Sequence, residues 1–407
     1  MVADTNFDPS LSLFHLLDPE VLADPYPLYH RLRTEDPVHW DPFLHAWVVT
    51  RYADVVTVFQ KFSADRTPTP TQLSAMGLAA LAPLAQVMVQ QMLFLDPPAH
   101  ERIRRLASAA FTPRRVEGLR THIQHIVDEL VTAVLPQGHM DVIADLAYPL
   151  PAIITAEMLG VSAADRDQLK AWSADFAEVL GNFQHNPDRS ARVLRSLAEM
   201  KEYFAAAIAD HRNHPRDDLI NALITAEVEG DRFTDDEIIA NSIIIMVGGQ
   251  ETTTNLIGNG MLSLLRHPDQ LAKLQADLAL IPSAVEELLR YESPSQHTAR
   301  LAPEDTQLGD KLIRQRQAVI AVMGAANRDP ARFAEPDRLD ITRADNRHVA
   351  FAWGSHFCFG APLARIEGQV AFETLLRRIP ALRLDPVPLA WRENLGLRGL
   401  IALPVSW

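Results

Sequence analysis

Apolar residues return every three or four positions through most of this chain, the spacing that lines one face of an α-helix. Ile123 to Val134 and Leu197 to Ile208 carry the pattern cleanly. Thr234 to Leu265 predicts one long helix, opened by a Thr234 cap with Glu237 completing the capping box. That segment is apolar on most sides, so it predicts a buried helix, and Gly248-Gly249 is its weak point. Strand-like stretches are short. HAWVVTRY (His45–Tyr52), after PVHW, predicts a hairpin, and KLIRQRQAVIAV (Lys311–Val322) predicts a second. A last strand pair is expected around Arg398 to Val405. No Gly/Ser tract, charge block or repeat divides the chain. The expected fold is mainly α with a minor β portion, a single domain over residues 1–407 with 1–20 as a loosely ordered N-terminal arm.

Charge narrows the partners. Acidic residues number 52 against 38 basic, a net charge of −14, which argues against nucleic acid and gives no reason to expect an anionic membrane surface. The opening MVADTNFDPSLSLFHLL reads as neither signal peptide nor anchor, and the longest apolar run elsewhere, Ile243 to Gly249, is too short to span a bilayer. One cysteine forms no internal disulfide and fits a reducing compartment. A soluble cytoplasmic monomer is expected.

That cysteine, Cys358, lies in FAWGSHFCFG. A lone cysteine is ordinarily a small buried hydrophobe. Here Gly354 and Gly360 flank it, and glycines permit unusual backbone angles and close approach of a flat ligand. The stretch that follows, APLARIEGQVAFETLLRRI, is an amphipathic helix with Pro362 in its first turn. Helix-start N–H groups favour a thiolate. Such a thiolate is a nucleophile or a metal ligand. Walls of Phe351, Trp353 and Phe357 suit a large flat cofactor better than a hydrolytic site.

Phe351, Gly354, Cys358 and Gly360 resemble the haem-binding loop of the cytochrome P-450 family, Phe-x-x-Gly-x-x-x-Cys-x-Gly. Ala352 departs from the glycine most bacterial members carry there, a change expected to be harmless. The resemblance implies haem b as cofactor with Cys358 as the axial ligand of its iron, and thiolate donation favours O–O cleavage. It extends to other segments in family order. Gly248-Gly249-Gln250-Glu251-Thr252 resembles the distal oxygen-binding stretch, which implies room for dioxygen at Gly248 and Gly249 and an acid–alcohol proton relay of Glu251 and Thr252. Glu287 and Arg290 resemble the Glu-x-x-Arg pair, and Pro336-Asp337-Arg338 the segment whose arginine, here Arg338, completes a buried structural network. His100 and Arg104, one turn apart, together with Arg300 and His356, are implied to hold the propionates.

Specificity is expected from segments between these motifs: Pro68 to Leu95, Leu180 to Pro187, Pro294 to Thr298, Leu395 to Leu397 and the middle of the long helix. Leu93, Ile243, Met246, Val247, Gln296, Thr298 and Leu397 are the candidate pocket residues, and their mostly apolar character points to a hydrophobic small molecule. The activity implied is monooxygenation with dioxygen. Electrons would come from a ferredoxin and its reductase or from a flavodoxin, docking on the cysteine side near Arg105 and Arg365. A peroxide-driven peroxygenase and a non-catalytic haem binder are the alternatives.

Overall fold

The computed structural model describes residues 8–181 and 187–407. The helices that frame the centre are α1 (Ala99–Ala110), α2 (Arg166–Gly181), α3 (Pro187–Asn213), α4 (Asp235–Arg266), α5 (Ile281–Tyr291) and α6 (Ala361–Arg378). Helix α4 is the predicted long helix. Thr234 Oγ1 accepts from Glu237 N while the Glu237 carboxylate accepts from Thr234 N, so the capping box closes in both directions. It runs unbroken through Gly248-Gly249, and almost every residue from Ile238 to Leu264 is buried. Pro149–Leu159, α2, α3, α5 and α6 pack around it, which leaves it no solvent face and accounts for its apolar character on most sides. Among the described residues no helix is long and apolar enough to cross a membrane.

The β portion is small. Val38–Asp41 (β1) and Ala46–Val49 (β2) form the predicted hairpin, its loop held by Asp41 Oδ1 accepting from Phe43 N and Leu44 N. Thr298–Leu301 (β3) and Ala318–Ala321 (β4) complete a four-stranded sheet in the order β1-β2-β4-β3, with β2 and β4 parallel. The second predicted hairpin does not form. Lys311–Ile313 pairs back onto Thr306–Leu308, and β4 leaves for the larger sheet. A turn redirects the chain between them: Gln317 N bonds Arg314 O, and Arg316 takes a φ of 66°. At the C-terminus Pro404–Ser406 pairs with Arg383–Leu384 and His139–Asp141, whereas Leu397 and Leu400 make only single bridges, to Ser295 and Trp391.

Residues 1–7 of the arm lie outside the described residues. From Asp8 onward the segment is anchored rather than loose. Leu11, Leu13 and Leu16 are buried, and the Asp41 carboxylate accepts from Ser12 Oγ and Leu13 N at 2.8 and 3.0 Å.

The cysteine loop is held from behind by a buried carboxylate. Glu287 and Arg290 on α5 are both fully buried, joined by two bonds of 2.8 Å. Glu287 also accepts from Asp340 N, Asn346 Nδ2 and Arg343 Nε. The third member of the network is therefore Arg343, not Arg338. The Arg338 side chain is largely exposed and pairs with Glu335, and only its carbonyl enters the network, accepting from Arg290. Arg290 also donates to Asn327 O, and Asn327 Oδ1 accepts from Val349 N, just before the loop begins. Removing one member of a buried pair strands the other. We expect Arg343→Ala to lose about 2–4 kcal/mol in chemical denaturation, and Arg338→Ala to stay within about 0.5 kcal/mol of the parent.

Candidate active site

Two left-handed residues close the cysteine loop. Ala352 has φ 59° and Gly354 φ 73°, and together they turn the chain so that Cys358 N reaches Phe351 O at 2.9 Å. Glycine suits the second position; at the first, an L side chain is strained by about 1–2 kcal/mol. The departure at Ala352 is thus not neutral. Gly360, by contrast, has an ordinary φ of −84°, and a Cβ there would meet no protein atom within 4 Å. What its missing side chain leaves open is the floor of a cavity.

That cavity, about 320 Å³, lies between α4 and the loop. Cys358, Phe351, Gly360, Gly248, Gly249, Thr252, His100, Arg104, Arg300 and His356 all line it; Gly354 acts from behind, through the turn. Burial pushes the Cys358 thiol up, while the N–H groups of Gly360 and Ala361 and the charge of Arg104 pull it down. The helix-start effect expected from sequence is present but outweighed. Arg365 caps the Phe351 ring at 4.7 Å and is bound by Glu286, whose carboxyl is held down at about 2: two bonds to Arg365 and one to His348 outweigh its burial.

On the opposite wall, Thr252 donates to Gly248 O at 2.7 Å and faces the cavity. A Cβ on Gly248 would meet nothing within 4 Å, so that glycine leaves cavity space; one on Gly249 would lie 2.9 Å from Thr155 Oγ1, so that glycine also serves helix packing. Glu251 is buried but points elsewhere. Its carboxylate sits between Lys170 Nζ at 3.1 Å and Arg392 Nη1 at 2.5 Å, and Lys170 lies over the Tyr148 ring. The structure therefore brings Thr252 to the cavity and holds Glu251 behind it.

The rings of His100 and His356 lie 4.0 Å apart. Burial, together with the neighbouring His100 and Arg300, pushes His356 down to about 3, and burial and Arg104 lower His100. Both shifts favour the neutral imidazole, which keeps one N–H to donate. His100 Nδ1 and Arg300 Nε are buried without hydrogen-bond partners among the described residues. Arg104 donates to Phe357 O and lies over Phe359. A cavity with a thiol on its floor, a side-chain-free strip at Gly360 and Gly248, and unspent donors at one edge fits a flat, two-carboxylate macrocycle such as haem b.

Of the pocket candidates, Leu93, Val247, Thr298 and Leu397 line the cavity. Ile243 and Met246 do not: both are fully buried in the main hydrophobic core, and Ile244 and Ile245 take their place. Ile244, Gly248 and Thr252 recur at four residues and so share a face. Gln296 also turns away, donating to Ser293 O and packing on Gly324, where a Cβ would lie 2.3 Å from Oε1. Residues 182–186 of the expected segment Leu180 to Pro187 lie outside the described residues. Sequence reasoning missed Glu367, which lines the cavity from α6 with Oε1 unpartnered. Burial, opposed only by a bond with Thr253, pushes its carboxyl up to about 8. The available signal was an acid between Ile366 and Val370 on a helix face that is otherwise apolar. From the loop strain we expect Ala352→Gly to raise unfolding stability by about 1 kcal/mol, measured by denaturant titration.

Comparison with known proteins agrees with this geometry. The family model for cytochrome P450 matches residues 74–380. The chain is 41% identical over 402 residues to cytochrome P450 monooxygenase PikC of Streptomyces venezuelae, covering 96% of this chain and 93% of that one. It is 39% identical to the biotin biosynthesis cytochrome P450 of Bacillus subtilis, covering 95% and 97%. The crystal structure of P450BioI in complex with hexadec-9Z-enoic acid ligated acyl carrier protein superposes with a TM-score of 0.90 at 38% identity, over 96% of this chain and all of that one. The chain belongs to the cytochrome P450 family of haem b monooxygenases.

Proposed function

We propose that this chain oxygenates a hydrophobic small molecule with dioxygen, taking its electrons from a separate ferredoxin or flavodoxin. The balance is substrate R–H, dioxygen, two electrons and two protons giving R–OH and water. When bound, haem b supplies the activation of dioxygen. In this reading Cys358 would ligate its iron as a thiolate, and His100, Arg104, Arg300 and His356 would hold its carboxylates.

The observation that carries the reading is the pairing, across one cavity, of Cys358 on the floor with Thr252 and Gly248 on the opposite wall. The Thr252 hydroxyl faces the cavity across from Cys358, where it would pass on a proton during the reaction, and its own bond to Gly248 O fixes its orientation. Glu251 supplies protons to it from behind. Because Lys170 and Arg392 hold that carboxylate, the relay requires Glu251 to exchange one of these partners for water or Thr252 during turnover. A peroxygenase would need no such reserve acid.

Apolar walls of Leu93, Ile244, Val247 and Leu397, with Thr298 and His297 as polar points, suit a long hydrophobic molecule with a few polar groups. A fatty acyl chain is one such molecule, and the P450BioI complex carries an acyl chain on a protein. The docking side for the electron donor is less open than its composition suggests. Arg365 is spent on Glu286, and Arg105 pairs with Glu229 at 3.1 Å, so the donor must compete with these internal partners.

Turnover with reduced ferredoxin and dioxygen should exceed turnover with hydrogen peroxide alone. Thr252→Ala should keep consuming dioxygen while product per electron pair falls about tenfold. Glu251→Gln should slow product formation about 100-fold. Full coupling in Thr252→Ala, measured as product against electrons consumed, would sink the relay.

A further inference from the structure

The cavity holds one more cation, outside the four groups already named. Arg66 lines it together with Met92, His100 and Arg300. The backbone fixes its place. Ser63 and Leu301 exchange N–H···O bonds of 2.8 and 2.9 Å, so the segment leading to Arg66 starts beside β3, the strand that carries Arg300. The Arg66 guanidinium lies over the Phe94 ring at 4.5 Å, and that of Arg300 over Phe59 at 5.6 Å. Aromatic faces thus carry both cations along apolar walls.

Neither has a carboxylate partner among the described residues. Asp96 is the one acid whose charge reaches Arg300, and its two oxygens are taken by Ser63 Oγ and Ala64 N. Arg66 makes a single long bond of 3.3 Å, to Ala64 O. Arg300 bonds Ala299 O and, at 3.4 Å, Thr298 Oγ1, and its Nε is unpartnered. Burial, joined at Arg66 by repulsion from Arg300, draws the two down to about 9 and about 10. Arg300 is fully buried and Arg66 half-buried; an unpaired charge drawn out of water is costly, and a neighbour of like sign adds to the cost.

We propose that Arg66 and Arg300 form a two-arginine clamp for a carboxylate at this edge of the haem cavity. Planar guanidinium forks match a carboxylate in geometry as well as charge. Two molecules bring a carboxylate here: haem, through a propionate, and an amphiphilic substrate with a free acid. The inference rests on the haem-binding reading of the cavity. Purified wild-type protein that carries no haem would fail that reading, not this one.

The test compares acids with their esters in holoprotein carrying wild-type Arg66, Arg66→Leu or Arg66→Lys. One arm follows loss of haem b, or of its dimethyl ester, to excess apomyoglobin. The other follows the spin-state titration with palmitic acid and with methyl palmitate. Arg66→Leu is expected to weaken retention of an acid about tenfold or more while leaving its ester unchanged, with Arg66→Lys between. An effect on haem b assigns the propionate, and an effect on palmitic acid alone assigns the substrate. If Arg66→Leu changes neither acid, or weakens acid and ester equally, the clamp is wrong; Arg66→Lys decides in the same way should the leucine variant not accumulate.

Discussion

The cysteine loop of this molecule is held from behind by a buried carboxylate. Glu287 has no access to solvent, and its two oxygens gather Arg290, Arg343, Asn346 and the Asp340 amide. A bare carboxylate in such a place would be prohibitively costly; with this many donors it becomes a node. From it, Arg290 reaches Asn327, and Asn327 reaches the strand end at Val349, so α5 is coupled to the cysteine loop without touching the cysteine. The neighbouring Glu286 does the same from the other side, through Arg365 and His348. Two adjacent acids on one helix thus brace the loop that places Cys358.

The cavity itself is electrostatically lopsided. Its donor edge carries Arg66, Arg300, Arg104 and two neutral histidines, whereas its floor and walls are chiefly apolar. Buried cations with no internal counter-ions are unstable alone and stable once an anion arrives. The same logic in reverse governs Glu251, which is oversupplied with cations by Lys170 and Arg392, and Glu367, which has none and holds its proton. The three arrangements set unpaired cations, a doubly paired carboxylate and an acid without a cation within one cavity and its back wall.

Much of this was legible in sequence, for identifiable reasons. The capping box at Thr234 and Glu237 is local, and it formed as written. Cys358, His100, Arg300, His356 and Thr252 are tied to motifs of fixed spacing, and all reach the cavity. What failed was long-range or rotational. The choice of Arg338 over Arg343 turns on how residues 334–346 fold back on α5, which spacing does not encode. A helix buried on every side gives hydrophobicity no phase, so Ile243 and Met246 were indistinguishable from Ile244 and Ile245. Extending the Gly248–Thr252 face by four residues would have selected Ile244. Arg66 sits in an irregular loop where no periodicity flags it.

The central claim is that Cys358, positioned by this bracing, ligates haem iron as a thiolate. Its most direct test is the absorbance of the dithionite-reduced protein under carbon monoxide, for the wild type and for Cys358→Ala. The account predicts the red-shifted Soret band of a thiolate-ligated ferrous carbon monoxide complex in the wild type and its loss in the variant. A wild type lacking that band, or a Cys358→Ala protein retaining it, would contradict the account.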